Sequence, residues 1–187
     1  MRPDRMGSFT IRIPLPRLSR PEWARCISGV GLCLALAAVL TAQAALADDW
    51  KLTDTAGVEH TLAGAKGKWV LVNFWAPWCP PCLEEMPALS ALQKRHRDLQ
   101  VIGVAIMYRK ADEVRAVVNR QKLAYPVVLG NEDLASEFGE LPGLPVSFLY
   151  DASGRRVGRH DGPLKADDVE RVMAHAPGAQ GVFGGGP

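Results

Sequence analysis

Two long apolar runs in the middle of the chain predict buried strands. Lys68–Trp75 and Gln100–Met107 each carry an almost uninterrupted series of apolar side chains, which is typical of strands covered on both faces of a sheet. Between them, apolar side chains recur every three or four residues over Leu83–Arg97, and this spacing predicts a helix. Strand, helix and strand in this order indicate a parallel βαβ unit.

The rest of the chain after residue 48 predicts shorter elements that complete a single domain. Turn residues at Asp54–Gly57 and Asp151–Gly154 separate short extended pieces. We expect one α/β domain over residues 48–176, with a mixed central sheet flanked by helices. The Gly- and Pro-rich tail 177–187 is expected to be disordered. The remaining predicted elements are a strand at Val58–Leu62, a helix from an N-cap at Asp112 to Gln121, a strand at Tyr125–Leu129, a helix at Asp133–Phe138, strands at Val146–Tyr150 and Arg155–His160, and a helix at Lys165–Ala174.

Residues 1–47 follow a different pattern. Six arginines and two acidic residues precede or flank the start of a charge-free stretch from Cys26 to Ala47, which ends in Ala45-Leu46-Ala47. A positive region, an apolar region and such a small-residue site are typical of a signal peptide. Ile27–Leu46 is also long enough for a membrane anchor, although its small and polar residues favour cleavage after Ala47. We therefore expect an exported domain in the periplasm, freed from this segment or anchored by it to the inner membrane.

Setting this segment apart changes both the charge and the cysteine count. The whole chain has 22 Lys and Arg and 20 Asp and Glu, a net charge of +2. Residues 1–47 hold six of the basic and two of the acidic side chains, which leaves 16 against 18 and a net charge near −2. No nucleic-acid partner is expected for such a domain. Cys26 and Cys33 also lie in the segment, so one pair remains, Cys79 and Cys82.

The pair Cys79 and Cys82 is spaced for reversible dithiol–disulfide exchange. A disulfide across two intervening residues closes a very short loop and removes little entropy from the unfolded chain, so a structural role is disfavoured. A structural zinc site needs two further ligands, and none of the four histidines forms a companion pair. We therefore predict redox chemistry at the carboxyl end of a central strand, where open α/β sheets place their reactive sites.

The helix after the motif predicts which cysteine attacks. If Cys79 is its N-cap, Pro80 and Pro81 occupy the first two helical positions, where a missing amide hydrogen removes no intrahelical bond. The helix N-terminus favours the Cys79 thiolate, so Cys79 is the predicted nucleophile. Cys82, one turn further and more buried, is the predicted resolving thiol.

The two prolines also predict the direction of exchange. Without amide hydrogens at Pro80 and Pro81, the Cys79 thiolate has mainly the Cys82 amide as a nearby donor. A less stabilised thiolate means a less stabilised dithiol and a more reducing couple. We therefore expect the domain to reduce its substrates.

Further site candidates flank the motif or lie far from it in sequence. Glu85 lies about one helical turn after Cys82, where a partly desolvated carboxyl could exchange a proton with that thiol. Glu84 is expected only to favour the first turn of the helix. Trp78 precedes the nucleophile and, besides packing, could shape a docking surface. Leu144–Pro145 precedes a predicted strand, and spacing alone does not decide whether that bond is cis.

Together these residues resemble the thioredoxin superfamily, and more narrowly its exported TlpA, ResA and CcmG branch. The likeness covers roughly Asp48–Ala174. It is most specific over Val70–Cys82 and Glu85–Pro87, and Gly143–Phe148 is a second, independent match. The resemblance implies a thioredoxin-like fold, with a mixed central sheet flanked by helices.

The resemblance also implies roles for single residues. Pro145 is expected to be cis and packed against the cysteines, with the preceding backbone at Leu144 pairing with substrate, and Glu85 is expected to transfer protons. The chain departs from the family at two positions. Asn73 stands where thioredoxin has a buried Asp, so the proton-accepting role moves to Glu85, and Val146 follows the proline where Thr is usual.

The function implied by the resemblance is that of a periplasmic thiol–disulfide oxidoreductase without an organic cofactor or a bound metal. The implied clients are proteins with cysteine pairs, of the apocytochrome c or copper-site assembly type, and the implied electron donor is a membrane thiol relay. Residues 27–46 could tether the domain to the membrane. Two alternatives stay open. A peroxiredoxin-like peroxidase is disfavoured because the motif lacks the Thr upstream of a lone cysteine. A copper(I) metallochaperone that uses Cys79 and Cys82 is disfavoured because no distant His can be placed beside them.

Overall fold

The computed structural model describes residues 50–175, so the export segment 1–47 and the tail 177–187 lie outside the described residues. Within residues 50–175, no helix has the length and apolar character needed to cross a membrane. The elements of the described part are β1 Lys51–Thr53, β2 Glu59–Thr61, β3 Trp69–Trp75, α1 Pro80–Arg95, β4 Leu99–Ala105, α2 Ala111–Gln121, β5 Val127–Leu129, α3 Glu132–Phe138, β6 Val146–Tyr150, β7 Arg156–Asp161 and α4 Ala166–His175.

The central sheet is mixed and has the strand order β5-β4-β3-β6-β7. Strands β4 and β5 run parallel to β3, as the βαβ pattern predicts. Strand β6 is antiparallel to β3, and the predicted hairpin adds β7 at the edge. Strands β1 and β2 form a separate antiparallel pair. The α/β architecture with a mixed central sheet is therefore confirmed.

Strand β3 lies in the middle of this sheet and is buried over its whole length. Because alternate residues of a strand point to opposite faces, β3 contributes to two separate cores. Leu71 and Trp75 pack on the face that α1 covers, which we call the site face. Val70, Val72 and Phe74 pack on the opposite face, which we call the aromatic face because of the phenylalanines that fill it.

Helix α1 begins as the sequence predicts. Cys79 is its N-cap, and Pro80 and Pro81 occupy the first two helical positions. Lys94 and Arg95 lie in its last turn, where cations interact favourably with the helix dipole. The helix therefore leads directly from the carboxyl end of β3 through the cysteine pair.

The predicted N-cap of α2 is wrong. The helix begins at Ala111 with Lys110 as its N-cap, and Lys110 makes no side-chain capping bond. Asp112 lies inside the first turn instead, where its carboxylate accepts a hydrogen bond from Arg115 at 2.8 Å. An acidic residue is also favoured there by the helix dipole, so sequence alone does not separate the two positions.

Candidate active site

Cys79 and Cys82 form a disulfide, with an S–S distance of 2.03 Å and a Cα–Cα distance of 5.3 Å. The pair lies just beyond the carboxyl end of β3, where the sequence places it. Cys79 is 3% exposed and Cys82 is fully buried. The greater burial of Cys82 agrees with the expectation that the second cysteine of the pair is the more enclosed one.

Trp78 lies on the surface immediately before the disulfide. It is 58% exposed, and its indole Nε1 donates a hydrogen bond to the Met107 carbonyl oxygen at 2.7 Å. This bond fixes the ring beside the loop that follows β4. The orientation of Trp78 is therefore set by the backbone of another element, a contact that the sequence does not reveal.

Met107 was predicted to end the second buried strand, but β4 stops at Ala105. Met107 has a φ of +55°, in the left-handed region that a residue with a branched or long side chain rarely adopts, and it is 52% exposed. The chain thus turns here and presents an apolar side chain next to Trp78. Its apolar character alone suggested burial, which is why the sequence missed it.

A groove of about 550 Å³ runs along the surface between Trp78 and α2. Trp78, Met107 and Val117 supply apolar walls, and Arg109 and Arg120 line its polar side. Arg109, just before α2, pairs with Glu113 in its first turn at 3.3 Å. The groove thus extends from Trp78, the residue before Cys79, along the exposed side of α2.

The Leu144–Pro145 peptide bond is cis, as the family resemblance implies. The next residue, Val146, begins β6 and pairs with Phe74 near the end of β3, so the proline lies at the same edge of the sheet as the cysteine motif. The Pro145 carbonyl accepts a hydrogen bond from the Gly162 amide at 2.8 Å. Among the described residues, no backbone group makes a hydrogen bond to the backbone of Leu144.

Glu85 lies in α1, three residues after Cys82, and is only 5% exposed. Its Oε1 accepts a hydrogen bond from the Asn73 side-chain Nδ2 at 2.7 Å, and its Oε2 accepts one from the Leu164 backbone amide at 2.6 Å. Side chains three apart on a helix share a face. The first buried position after Cys82 in α1 is therefore occupied by a carboxyl group.

Burial raises the pKa of Glu85 from its usual value to about 7, although the hydrogen bonds from Leu164 and Asn73 act in the opposite direction. Near neutral pH the carboxyl group is then close to half protonated, which is the condition for efficient proton exchange. Burial also raises the pKa of the nearby Tyr125 hydroxyl, and the charge of Glu85 adds to this effect.

Asn73 belongs to a polar row that crosses the site face. Register pairing places Asn73 opposite Ser147 of β6, and Ser147 opposite His160 of β7. The Asn73 Nδ2 also donates a hydrogen bond to the Ser147 hydroxyl at 3.0 Å. On its other side Asn73 pairs with Gly103, where an added Cβ would approach the Tyr125 ring to 3.0 Å. The row thus lies directly beneath α1.

Sequence reasoning found the cysteines, Glu85, Trp78 and Pro145, but not the residues that hold Glu85. The available signals were Asn73 and Ser147, each a polar residue within an otherwise apolar strand. Leu164 carries no such signal. Among residues 50–175, no three His, Cys, Asp or Glu side chains are arranged so that they could hold a metal ion.

Comparison with known proteins places this site in a family. The model of the AhpC/TSA family matches residues 44–155. The thioredoxin-like protein YneN of Bacillus subtilis (strain 168) is 32% identical over 131 residues, which cover 68% of this chain and 76% of YneN. The thiol–disulfide oxidoreductase ResA of Geobacillus kaustophilus (strain HTA426) is 32% identical over 129 residues, covering 68% of this chain and 74% of ResA.

Solved structures show the same likeness. A thiol:disulfide interchange protein of the thioredoxin family from Chlorobium tepidum TLS superposes with a TM-score of 0.62 at 32% identity, over 72% of this chain and 95% of its own. A putative thiol:disulfide interchange protein DsbE from Chlorobium tepidum superposes with a TM-score of 0.61 at 25% identity, over 68% of this chain and 92% of its own. The fold is thus shared with thiol–disulfide oxidoreductases.

Proposed function

The chain belongs to the AhpC/TSA family and is a thioredoxin-like thiol–disulfide oxidoreductase, and we propose that it reduces disulfides of client proteins outside the cytoplasmic membrane. The observation that carries the proposal is the disulfide at the start of α1 with Pro80 and Pro81 in the first two helical positions. The missing amides leave the Cys79 thiolate poorly stabilised, which favours transfer of electrons to the client.

In the first step of the proposed reaction, the Cys79 thiolate attacks a client disulfide. A mixed disulfide forms between Cys79 and one client sulfur, and the other client sulfur leaves as a thiolate. The N-cap position of Cys79 supports this role because the helix N-terminus favours an anionic sulfur.

In the second step, Cys82 resolves the mixed disulfide. Its thiol gives its proton to the Glu85 carboxylate, and the resulting thiolate attacks the Cys79 sulfur. The second client sulfur leaves as a thiolate, so the client is reduced by two electrons and Cys79–Cys82 is oxidised. The burial of Glu85 three residues after Cys82, with a pKa of about 7, supports its role as the proton acceptor.

Client contacts are assigned to Trp78, Leu144 and Pro145. Trp78 is exposed and fixed beside the disulfide, and large aromatic side chains contribute strongly to protein interfaces. The Leu144 backbone, next to the cis-proline, makes no hydrogen bond to another backbone group among the described residues, which supports pairing with an extended client strand.

The finer parts of the proposal concern location and partners. The signal-like pattern of residues 1–47 supports export to the periplasm, with residues 27–46 as a tether if they are not cleaved. Relatives named ResA and DsbE are thiol–disulfide exchange proteins. We assign apocytochrome c or copper-site assembly proteins as the client class and a membrane thiol relay as the electron donor, with no organic cofactor.

A trapping experiment tests the proposed function. Cys82→Ala removes the resolving thiol, so clients should accumulate as mixed disulfides on Cys79, and their identity would give the client class. Cys79→Ala is the matched control and should trap nothing. Equal yields from the two variants, or no adduct with either, would contradict the assignment of Cys79 as the nucleophile.

A further inference from the structure

The Asn73 side chain is placed to act on Glu85 rather than merely to fill the core. It is fully buried in the central strand, and its Nδ2 makes both of its hydrogen bonds within the polar row, to Glu85 Oε1 and to Ser147 Oγ. Its Oδ1 is buried and has no hydrogen-bond partner among the described residues. A buried acceptor without a partner is costly, so this arrangement calls for an explanation.

We propose that Asn73 is a positioning residue for Glu85 and serves both protonation states of that carboxyl group through rotation of its amide. This inference deepens the proposed function, on which its catalytic meaning rests. In the orientation seen here, Nδ2 donates to the ionised carboxylate. After a half-turn of the amide, Oδ1 takes the place of Nδ2 and accepts the proton of the carboxylic acid. The terminal torsion of Asn has broad, roughly two-fold freedom, which permits this rotation.

The other partners of the network are compatible with both orientations. The Ser147 hydroxyl can accept from Nδ2 or donate to Oδ1, because a hydroxyl group does both. Asn73 therefore keeps two hydrogen bonds in each orientation, and one buried amide atom lacks a partner in each. The two orientations thus make equal numbers of hydrogen bonds, so the protonation state of Glu85 can determine which one is adopted.

The Leu164 amide determines which oxygen of Glu85 takes the proton. A backbone N–H can only donate, so Oε2, which accepts from it at 2.6 Å, is held as an acceptor in both states. Oε1 faces the one partner that can change from donor to acceptor. The proton that Cys82 releases is therefore assigned to Oε1, where Asn73 then holds it.

Several groups on neighbouring elements also influence this site. Tyr125 precedes β5 and interacts electrostatically with Glu85. His160 of β7 lies on the same face as Ser147, and its Nε2 is 3.1 Å from the Pro163 carbonyl oxygen. Cys79 and Cys82 add two thiols when they are reduced. A titration of the oxidised protein removes the thiols from the comparison and leaves Tyr125 and His160 common to every variant.

The test is a titration of the Glu85 side-chain carboxyl carbon by NMR in the full-length oxidised protein. In Asn73→Ala, the carboxylate loses a charge-assisted hydrogen bond and the carboxylic acid loses a weaker neutral one, so the midpoint should still rise, by up to about one pH unit, a tenfold change in proton affinity. In Asn73→Asp, a second carboxyl group of similar shape should raise the upper midpoint of the pair as well. Ser147→Ala is the matched control, because it leaves the Asn73 donor in place and should shift the midpoint less.

Two further readouts separate positioning from a purely structural role. In the wild-type protein, the Asn73 side-chain NH₂ signals should change with the same midpoint as Glu85. In a Glu85→Gln background, Asn73→Ala should leave the pH profile of disulfide exchange unchanged. A Glu85 midpoint that is the same in wild type, Asn73→Ala and Asn73→Asp would overturn the proposal.

The titration is independent of any client. If Cys82→Ala traps no partner and yet the Glu85 midpoint moves as expected, the proposed client reduction fails while the role of Asn73 stands. If partners are trapped and the midpoint does not move, the reductase function stands and the role of Asn73 fails.

Discussion

The two faces of the central sheet are built from the same strands but follow different rules. On the aromatic face, Phe74, Phe138 and Phe148 contact one another with ring centroids 5.0 to 5.9 Å apart. On the site face, the same strands contribute Asn73 and Ser147 beneath Glu85. One face is packed for stability, and the other keeps buried polar groups at a position where packing alone would favour apolar ones.

Buried polar atoms without a partner show the cost of this arrangement. The Asn73 Oδ1, the Trp75 Nε1 and the Tyr125 hydroxyl are buried on the site face without a hydrogen-bond partner among the described residues. On the aromatic face, the Trp50 Nε1 is the corresponding case. Buried polar groups of this kind destabilise the fold, so their grouping around Glu85 indicates that the site face is adapted to chemistry at some expense of stability.

Neighbouring residues of β6 allow the largest test of this difference. Phe148 and Ser147 are both fully buried but point to opposite faces. Phe148→Ala should lower the free energy of unfolding by about 3–5 kcal/mol, as large-to-small changes of buried aromatic residues do. Chemical denaturation measures this effect. The pH profile of disulfide exchange should stay as in the wild type, and a shift of that profile in Phe148→Ala would break the distinction between the faces.

Glu85→Gln sharpens the comparison on the site face. Because burial raises the pKa of Glu85 to about 7, the folded protein binds this proton more tightly than the unfolded chain does. The stability contributed by the protonated carboxyl is fully present below pH 4.5 and is lost as the pH rises towards 7. A neutral glutamine carries no such dependence. The free energy of unfolding of the variant should therefore rise relative to that of the wild type over this pH range, by up to roughly 3 kcal/mol.

Unfolding midpoints of the two proteins across about pH 4 to 8, the range in which Glu85 titrates, would measure this gain. Glu84→Gln provides the matched control from the preceding position of the same helix. It should show no comparable dependence, since Glu84 is exposed rather than enclosed. Parallel stability curves for Glu85→Gln and wild type would contradict the buried, ionisable character assigned to the site face.

The contrast between the faces was only partly accessible from sequence. The apolar run Lys68–Trp75, the cysteine spacing and the prolines predict the central strand, the start of α1 and the place of the reactive pair. Glu85 follows from helical spacing together with the family resemblance. These features depend on residues close together in the chain, where periodicity and capping rules apply.

The partners of Glu85 depend on register and could not be predicted. Asn73 meets Ser147 across 74 residues because β3 and β6 pair in one particular register. Leu164 reaches Glu85 from 79 residues away, through a backbone amide that carries no side-chain signal. The turn at Met107 was missed for a similar reason. The backbone of this apolar residue accepts a hydrogen bond from Trp78, a contact between residues distant in sequence.

The smallest expected effect concerns the surface beside the site. Trp78 is 58% exposed, so Trp78→Ala should change the free energy of unfolding by less than about 1 kcal/mol. If Trp78 contacts clients, the variant should reduce a protein disulfide several-fold more slowly, while a small disulfide such as oxidised glutathione reacts at the wild-type rate. Equal slowing with both substrates would assign Trp78 to the cysteine chemistry rather than to docking.

The reduction potential of the Cys79–Cys82 pair tests the central claim most directly. The purified protein would be equilibrated with dithiol–disulfide buffers, and the fraction of oxidised pair would be quantified by alkylation. A potential well below that of the oxidant DsbA, about −120 mV, is expected for a motif whose prolines leave the Cys79 thiolate with few donors. A value as oxidising as about −120 mV would contradict the proposed role as a reductase.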